Sequence, residues 1–192
     1  MKRIEDKILV PSSKIFLFKK WMLDNNAKKI FPNRKINSIY LDNTFLSMFI
    51  NSEEGIVPRK KIRLRSYNND HNFNLEIKIT NEDGRSKFTK KLTSNIEILQ
   101  KGFLDNQYGI CYPKTQVEYI REYYQIFNFR VTIDSKLKYK SINNNHFKKD
   151  LRPIIELKSM DSTFKEDCLT LFPFERSRFS KYCESIKFLK KS

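Results

Sequence analysis

The sequence predicts an α+β fold with a mostly antiparallel sheet. Seven segments alternate apolar and polar residues at a period of two, three others carry apolar stripes at helical spacing, and Asn-rich patches punctuate them. With 192 residues, 39% of them hydrophobic and 14% aromatic, the chain is large enough to bury a core as one domain spanning 1–192.

Each element follows from its residues. "RIEDKIL" (3–9) reads as a strand with Arg3, Glu5 and Lys7 on one face. "SSKIFLFKKWMLDNN" (12–26) reads as a helix, with Ser12 or Ser13 as N-cap and Ile15, Phe18, Trp21 and Met22 on one stripe. "KIRLRSY" (61–67) puts Lys61, Arg63, Arg65 and Tyr67 opposite Ile62 and Leu64. "NNDHN" (68–72) is a loop signal, and "NLEIKIT" (74–80) sets Glu76 and Lys78 against Leu75, Ile77 and Ile79. "GRSKFTKKL" (84–92) gathers Arg85, Lys87 and Lys91, with Lys90 interrupting the apolar side. "SNIEILQKG" (94–102) carries a capping-box pattern, Ser94 with Glu97, and Gly102 as its stop.

The second half repeats the design. "TQVEYIREYY" (115–124) places Tyr119, Arg121 and Tyr123 on one side, and "FRVTIDSKL" (129–137) places Arg130, Thr132 and Asp134 opposite Val131 and Ile133. After a loop at "NNNH" (143–146), "PIIELKS" (153–159) sets Glu156 and Lys158 against Ile155 and Leu157. "FERSRFSKYCESIKFLKK" (174–191) reads as an amphipathic C-terminal helix with Phe179, Cys183 and Ile186 on its apolar side.

A net charge of +16 implies a polyanionic partner: nucleic acid, an anionic membrane or phosphorylated small molecules. Cys111, Cys168 and Cys183 fit no metal-site spacing and are odd in number, which predicts reduced core thiols and a cytosolic setting. No run approaches the length of a membrane span, and "MKRIEDKILVP" is too charged for a signal peptide. The chain therefore reads as soluble, with a membrane-bound partner left open.

The seven charged strand faces lie in bulk water if the sheet is flat, or face one another if it closes into a barrel. Arg recurs at positions 63, 65, 121 and 130, and Arg is the residue suited to bidentate recognition of phosphate oxygens. An inward face this cationic is wet when empty or filled by a polyanion and a metal, because desolvating an unpaired ion costs on the order of several kcal/mol. Glu5, Glu76 and Glu156 supply hard oxygen donors for a divalent ion shared with phosphates.

The ordered series "RIEDK", "IYLDN", "RKKIRLRSY", "LEIK", "YIREYY", "RVTID", "IIELK" and "RFSKY" resembles the VTC domain of polyphosphate polymerases, within the triphosphate tunnel metalloenzyme (CYTH-like) superfamily. The likeness spans about residues 1–190. It implies an eight-stranded antiparallel β-barrel tunnel with flanking α-helices. It also implies transfer of the γ-phosphate of ATP to growing polyphosphate with Mn²⁺ or Mg²⁺. Carried over by position, Lys7, Arg63, Arg65, Lys78, Lys87, Arg121 and Arg130 bind phosphate, with Lys91 on the same face as Lys87. Glu156 matches the metal-binding glutamate with Lys158 beside it, Ser180 and Lys181 match a helix-borne pair reaching the phosphates, and Tyr119 matches a tunnel tyrosine.

One departure from the wider superfamily is informative. Its triphosphatases and cyclases typically open with ExExK, whereas here Arg3 replaces the first glutamate of Arg3-Ile4-Glu5-Asp6-Lys7. That exchange removes a carboxylate and adds a cation, which favours the polymerase branch. A second departure is length: the compact chain is expected to lack the regulatory domain and membrane segments of eukaryotic relatives, which argues against assembly into a membrane complex that moves polyphosphate. No GxxxxGK[ST] loop is present, and His71 and His146 lie in the Asn-rich loops. Two other readings stand beside the polymerase: a triphosphatase of the same fold, in which water replaces the acceptor, and a non-catalytic polyanion binder. Nucleic acid is not the expected partner, since the aromatics fall mostly on apolar faces rather than beside exposed cations.

Overall fold

The computed structural model describes residues 4–127, 129–159 and 177–190, with residues 4–9 and 159 by backbone alone. In chain order the first elements are β1 (Ile4–Leu9), a 3-10 turn (Ser12–Lys14), α1 (Ile15–Asp24), β2 (Lys28–Asp42) and α2 (Ser47–Glu54). There follow β3 (Arg59–Tyr67), β4 (Asn74–Asn81), β5 (Gly84–Lys91), α3 (Ile96–Lys101), β6 (Phe103–Asp105) and β7 (Gly109–Ile126). The chain continues through β8 (Phe129–Ser141), β9 (Lys148–Asp150), β10 (Ile154–Ser159) and α4 (Lys181–Lys190).

Hydrogen bonds order the main strands β1-β10-β8-β7-β2-β3-β4-β5, with β6 on β7 and β9 on β8. The registered pairs are antiparallel, from β1 on β10 to β4 on β5. The expected antiparallel α+β fold is therefore present, on a path of eight strands. Among the described residues that path is open, with β1 and β5 at its ends. Among the described residues the seven alternating segments fall on strands except for Leu92 and Pro153, which lie just beyond β5 and just before β10.

Contacts divide the chain into two compact units. The first comprises Met1–Arg34, Tyr119–Leu137 and Lys149–Phe179. Its core joins Phe18 and Met22 of α1 to Val131, Ile133, Ile155 and Leu157 of β8 and β10, with Ile15 and Trp21 packed against them. These are the apolar members of the alternating patterns, so the other face of β8 and β10 carries Arg130, Thr132, Asp134, Glu156 and Lys158.

The second unit comprises Lys35–Glu118, Lys138–Lys148 and Ser180–Ser192. Ile39 and Leu41 pair with Leu64 and Ile62, and Leu64 pairs with Leu75, giving one apolar face that is buried throughout. The opposite face carries Ser38, Tyr40, Arg63, Arg65 and Glu76. Helix α4 docks through Tyr182, which stacks on Tyr40 at 5.3 Å and donates to Asp42 Oδ2 at 2.6 Å.

Several helix boundaries differ from expectation, each for a local reason. The first helix begins at Ile15 after a 3-10 turn, and neither Ser12 nor Ser13 caps it. Ser12 instead donates to the carbonyl of Leu151. Ser94 accepts from Ile96 N at 3.3 Å, but Glu97 reaches forward to Lys101 rather than back, so no capping box forms. Gly102 does end α3, at φ +83°, and a Cβ there would meet Ile110 Cγ2 at 2.8 Å. The last helix starts at Lys181 because Ser180 caps it: its Oγ accepts from Cys183 N and its carbonyl from Glu184 N.

Phe179, Cys183 and Ile186 are buried as expected, while residues 174–176 and 191 lie outside the described residues. So does Cys168; Cys111 and Cys183 are buried free thiols. Burial, with Asp105 and Asp42 nearby, pushes the Cys111 thiol up to about 12. Among the described residues no helix is long and apolar enough to cross a membrane.

Candidate functional site

In the second unit the site is built on β3 and β4. Alternation turns Arg63 and Arg65 to one face of β3, and the antiparallel register sets Arg63 opposite Glu76 and Lys78 opposite both Lys61 and Lys87. Arg63 Nε donates to Glu76 Oε2 at 2.8 Å, and its Nη1 donates to Tyr40 OH at 3.2 Å. Arg65 Nε donates to Ser38 Oγ at 2.9 Å, and its Nη1 lies 3.8 Å from Glu76 Oε2. Lys87 Nζ donates to Glu76 Oε1 at 2.7 Å.

Three cations thus surround one carboxylate. Burial alone would raise the Glu76 carboxyl, but the charges of Arg63 and Arg65 and hydrogen bonds from Lys87 and Arg63 bring it down to about 2. Glu76 is therefore ionised at neutral pH, and formal charges leave the cluster at +2, three cations less one anion. Tyr40 responds to the same field: burial raises its phenol, and Arg63, Arg65 and Lys181 pull it below its ordinary value. Lys61 Nζ donates to Ser180 Oγ at 2.9 Å, which brings the start of α4 to the same strand face. Arg63, Arg65, Glu76, Lys87, Ser180 and Lys181 all belong to this arrangement.

In the first unit Arg121 holds Asp134 by a bidentate pair, Nε to Oδ1 at 2.6 Å and Nη2 to Oδ2 at 2.7 Å. Its Nη2 also lies 3.5 Å from Glu156 Oε2, and its guanidinium sits 5.4 Å from the Tyr119 ring centre. Lys158 Nζ lies 3.0 Å from Glu156 Oε1. Burial on its own would lower the Arg121 pKa, and Asp134 more than offsets it, so Arg121 is firmly protonated. Register sets Thr132 opposite Glu156 and Arg130 opposite Lys158, while Lys7 and Glu5 occupy the positions opposite Glu156 and Lys158 on β1. Among the described residues, buried Arg130 Nε and Thr132 Oγ1 have no hydrogen-bond partner.

Sequence reasoning did not single out Ser38, Tyr40, Thr132, Asp134 or Tyr182 for the site. Asp134 and Thr132 shared a strand face with Arg130, the signal that could have found them. The His71 and His146 side chains are exposed in their loops, as expected.

The sequence profile of the VTC domain matches residues 2–107 and 89–190. The chain belongs to the VTC domain family. A search of curated proteins finds no match to it. Among solved structures, this VTC chain is similar to a proposed adenylate cyclase from Vibrio parahaemolyticus, with TM-score 0.58, 14% identity, and 97% and 98% of the two chains covered. It is also similar to a proposed adenylyl cyclase from Hippeastrum described as having a dominant triphosphatase activity. There the TM-score is 0.60 and the identity 13%, over 98% and 96% of the chains. A third is the PH1819 protein from Pyrococcus horikoshii, with TM-score 0.56, 16% identity and 99% of each chain covered. Likenesses at these identities establish the fold.

The family resemblance implies a divalent ion, and the residues present offer oxygen donors for one. Among the described residues no three His, Cys, Asp or Glu side chains gather as a metal group. Mg²⁺ and its kin, however, often bind through one or two carboxylates completed by phosphates and water. Glu156 offers carboxylate oxygen, and the unpartnered Thr132 hydroxyl lies opposite it in register. Both are hard oxygen donors. Glu156 and Glu76 each already meet cations of their own unit at both oxygens, Lys158 and Arg121 for Glu156, Arg63 and Lys87 for Glu76, and the unpartnered Thr132 hydroxyl is what distinguishes the Glu156 position.

Proposed function

We propose that this VTC domain is a metal-dependent polyphosphate polymerase. It transfers the γ-phosphate of ATP to a growing inorganic polyphosphate chain inside the basic tunnel implied by its family resemblance. The observation that carries the reading is the Arg63–Arg65–Glu76–Lys87 cluster, where buried guanidiniums outnumber their carboxylate. Such a cluster attracts phosphate oxygens and is shaped for them by the rigid forks of arginine. Replacement of the ExExK glutamate by Arg3 supports the polymerase branch over a hydrolase.

Phosphoryl transfer depends on positioning and charge neutralisation rather than on protein covalent chemistry. Arg63 and Arg65 orient phosphate oxygens, aided by Lys78, Lys87 and the helix-borne Ser180 and Lys181. Arg121 and Lys158 flank Glu156, Arg130 and Lys7 join them as phosphate-binding residues by family position, and Tyr119 holds the Arg121 plane. The nucleophile is a terminal phosphate oxygen of the acceptor, ionised at neutral pH, so no strong general base is needed. It attacks the γ-phosphorus as the bond to the β–γ bridging oxygen breaks and ADP leaves. Glu156 and Thr132 would hold Mn²⁺ or Mg²⁺, with Glu5 as a further candidate ligand; the ion supplies neutralisation of phosphoryl charge.

A triphosphatase is the second reading, favoured by the triphosphatase activity named for the Hippeastrum protein of this fold. Incubation with ATP and Mn²⁺, followed by gel analysis for long polyphosphate, separates the two. Polymer supports the polymerase. Free phosphate without polymer overturns it in favour of hydrolysis.

A further inference from the structure

Helix α1 turns Phe18 and Met22 into its unit's core, yet its other face is also apolar. Phe16 is 72% exposed, Leu17 56% and Leu23 72%. At 100° per residue, Phe16, Leu17, Lys20 and Leu23 fall on one outward arc, with Asp24 as its single carboxylate. Leu151, 79% exposed, is tethered to the start of this region by the hydrogen bond from Ser12 Oγ to its carbonyl. Lys20 lies on the same arc, and Lys14, Lys28 and Lys29, near the helix in sequence, are exposed as well. Large side chains presented together to water in this way mark an interaction surface.

We propose that this face of α1 docks on an anionic lipid bilayer. The chemistry selects that partner: Phe and Leu suit the acyl boundary, and the flanking lysines suit acidic headgroups in the same plane. A second copy of the chain is disfavoured because apposed α1 faces would bring their lysine rims together on molecules of net charge +16. The face uses none of the residues assigned to phosphate binding. Docking would hold this domain at a membrane surface through the face of α1 itself.

The test is co-sedimentation of the whole chain with phosphatidylcholine vesicles containing or lacking phosphatidylserine. The variants are the charge-preserving double substitution Phe16→Ser and Leu23→Ser, and Lys20→Glu. Wild type should bind the anionic vesicles. The double variant should bind roughly tenfold or more weakly with its circular dichroism unchanged, and Lys20→Glu should also weaken binding. Trp21, the sole tryptophan, lies on this helix, so quenching by bromine-labelled lipid reads its approach to the bilayer. Equal binding by the double variant would overturn the proposal, because charge alone would then explain it. Absent vesicle binding, or concentration-dependent dimerisation abolished by the double variant, would overturn it too. Should the double variant misfold, Leu23→Ser alone provides the same comparison.

Discussion

Arg63 and Glu76 face each other across β3 and β4, and two guanidinium N–H groups converge on the one oxygen Oε2. Lys87 takes the other oxygen. A single carboxylate thereby holds cations from two strands on a shared face. The arrangement orders the arginines in advance, so little side-chain freedom would be lost if they bind phosphate as proposed.

That relationship makes stability depend on pH in the acid range. The Glu76 carboxyl lies near 2 in the fold and near 4.5 when free of it, so the folded state binds fewer protons between those values. Its contribution is fully present above about pH 4.5 and is lost as pH falls towards 2, on the order of 3 kcal/mol at most. Urea unfolding at several pH values should show this decline in the wild type. Glu76→Gln should be less stable at pH 7 and show a flatter acid profile.

Arg65 separates binding from folding. It hydrogen-bonds Ser38 and lies 3.8 Å from Glu76, which keeps Arg63 and Lys87 when Arg65 is removed. Arg65→Ala should therefore remain folded while ATP turnover drops roughly 100-fold. Arg65→Lys should not restore it, because an ammonium cannot reproduce the planar fork. Steady-state kinetics alongside a thermal melt checks both halves.

Alternation made the members of the charged cluster legible in the sequence, since Arg63, Arg65 and Glu76 need only a period of two to be placed on faces. Their partnership was not legible, because it depends on the register that sets position 63 against 76. Strand β2 was missed for a different reason. Its first half, "KKIFPNRK", is largely exposed and contains Pro32, so apolar alternation is weak until Ile36. With β2 went Ser38, Tyr40 and Asp42. Helix α2 is short, and its first amide is satisfied by Asn43 and the next two by Asp42 at the end of the preceding strand, rather than by the side chain of its N-cap Leu46. Ser12 likewise spends its hydroxyl on Leu151, a contact 139 residues distant that no local pattern announces.

Tyr182 links the helix bearing Ser180 and Lys181 to the strand bearing Tyr40. Its hydroxyl donates to Asp42, whose oxygens also accept from Met48 N and Phe49 N. Burial and the Asp42 charge hold the Tyr182 phenol far above its ordinary range, so it remains a donor at any working pH. Tyr182→Phe keeps the ring stack and loses only that bond, at about 2 kcal/mol or a melting temperature lower by roughly 4–8 °C. If α4 positions phosphate ligands, KM for ATP should rise while kcat changes less.

Thr132 tests whether the orphaned hydroxyl beside Glu156 serves a ligand. A buried hydroxyl without a partner costs stability, so Thr132→Val should unfold at equal or higher denaturant, by about 1 kcal/mol. If that oxygen helps to hold the divalent ion, the same variant should need several-fold more Mn²⁺ for half-maximal activity. Glu156→Ala, which removes the carboxylate itself, should abolish activity at any Mn²⁺ concentration. A loss of stability in Thr132→Val with an unchanged Mn²⁺ requirement would assign the hydroxyl a purely structural bond. Gained stability with a raised Mn²⁺ requirement would mark a group whose desolvation is tolerated in the fold because the bound ion needs its oxygen.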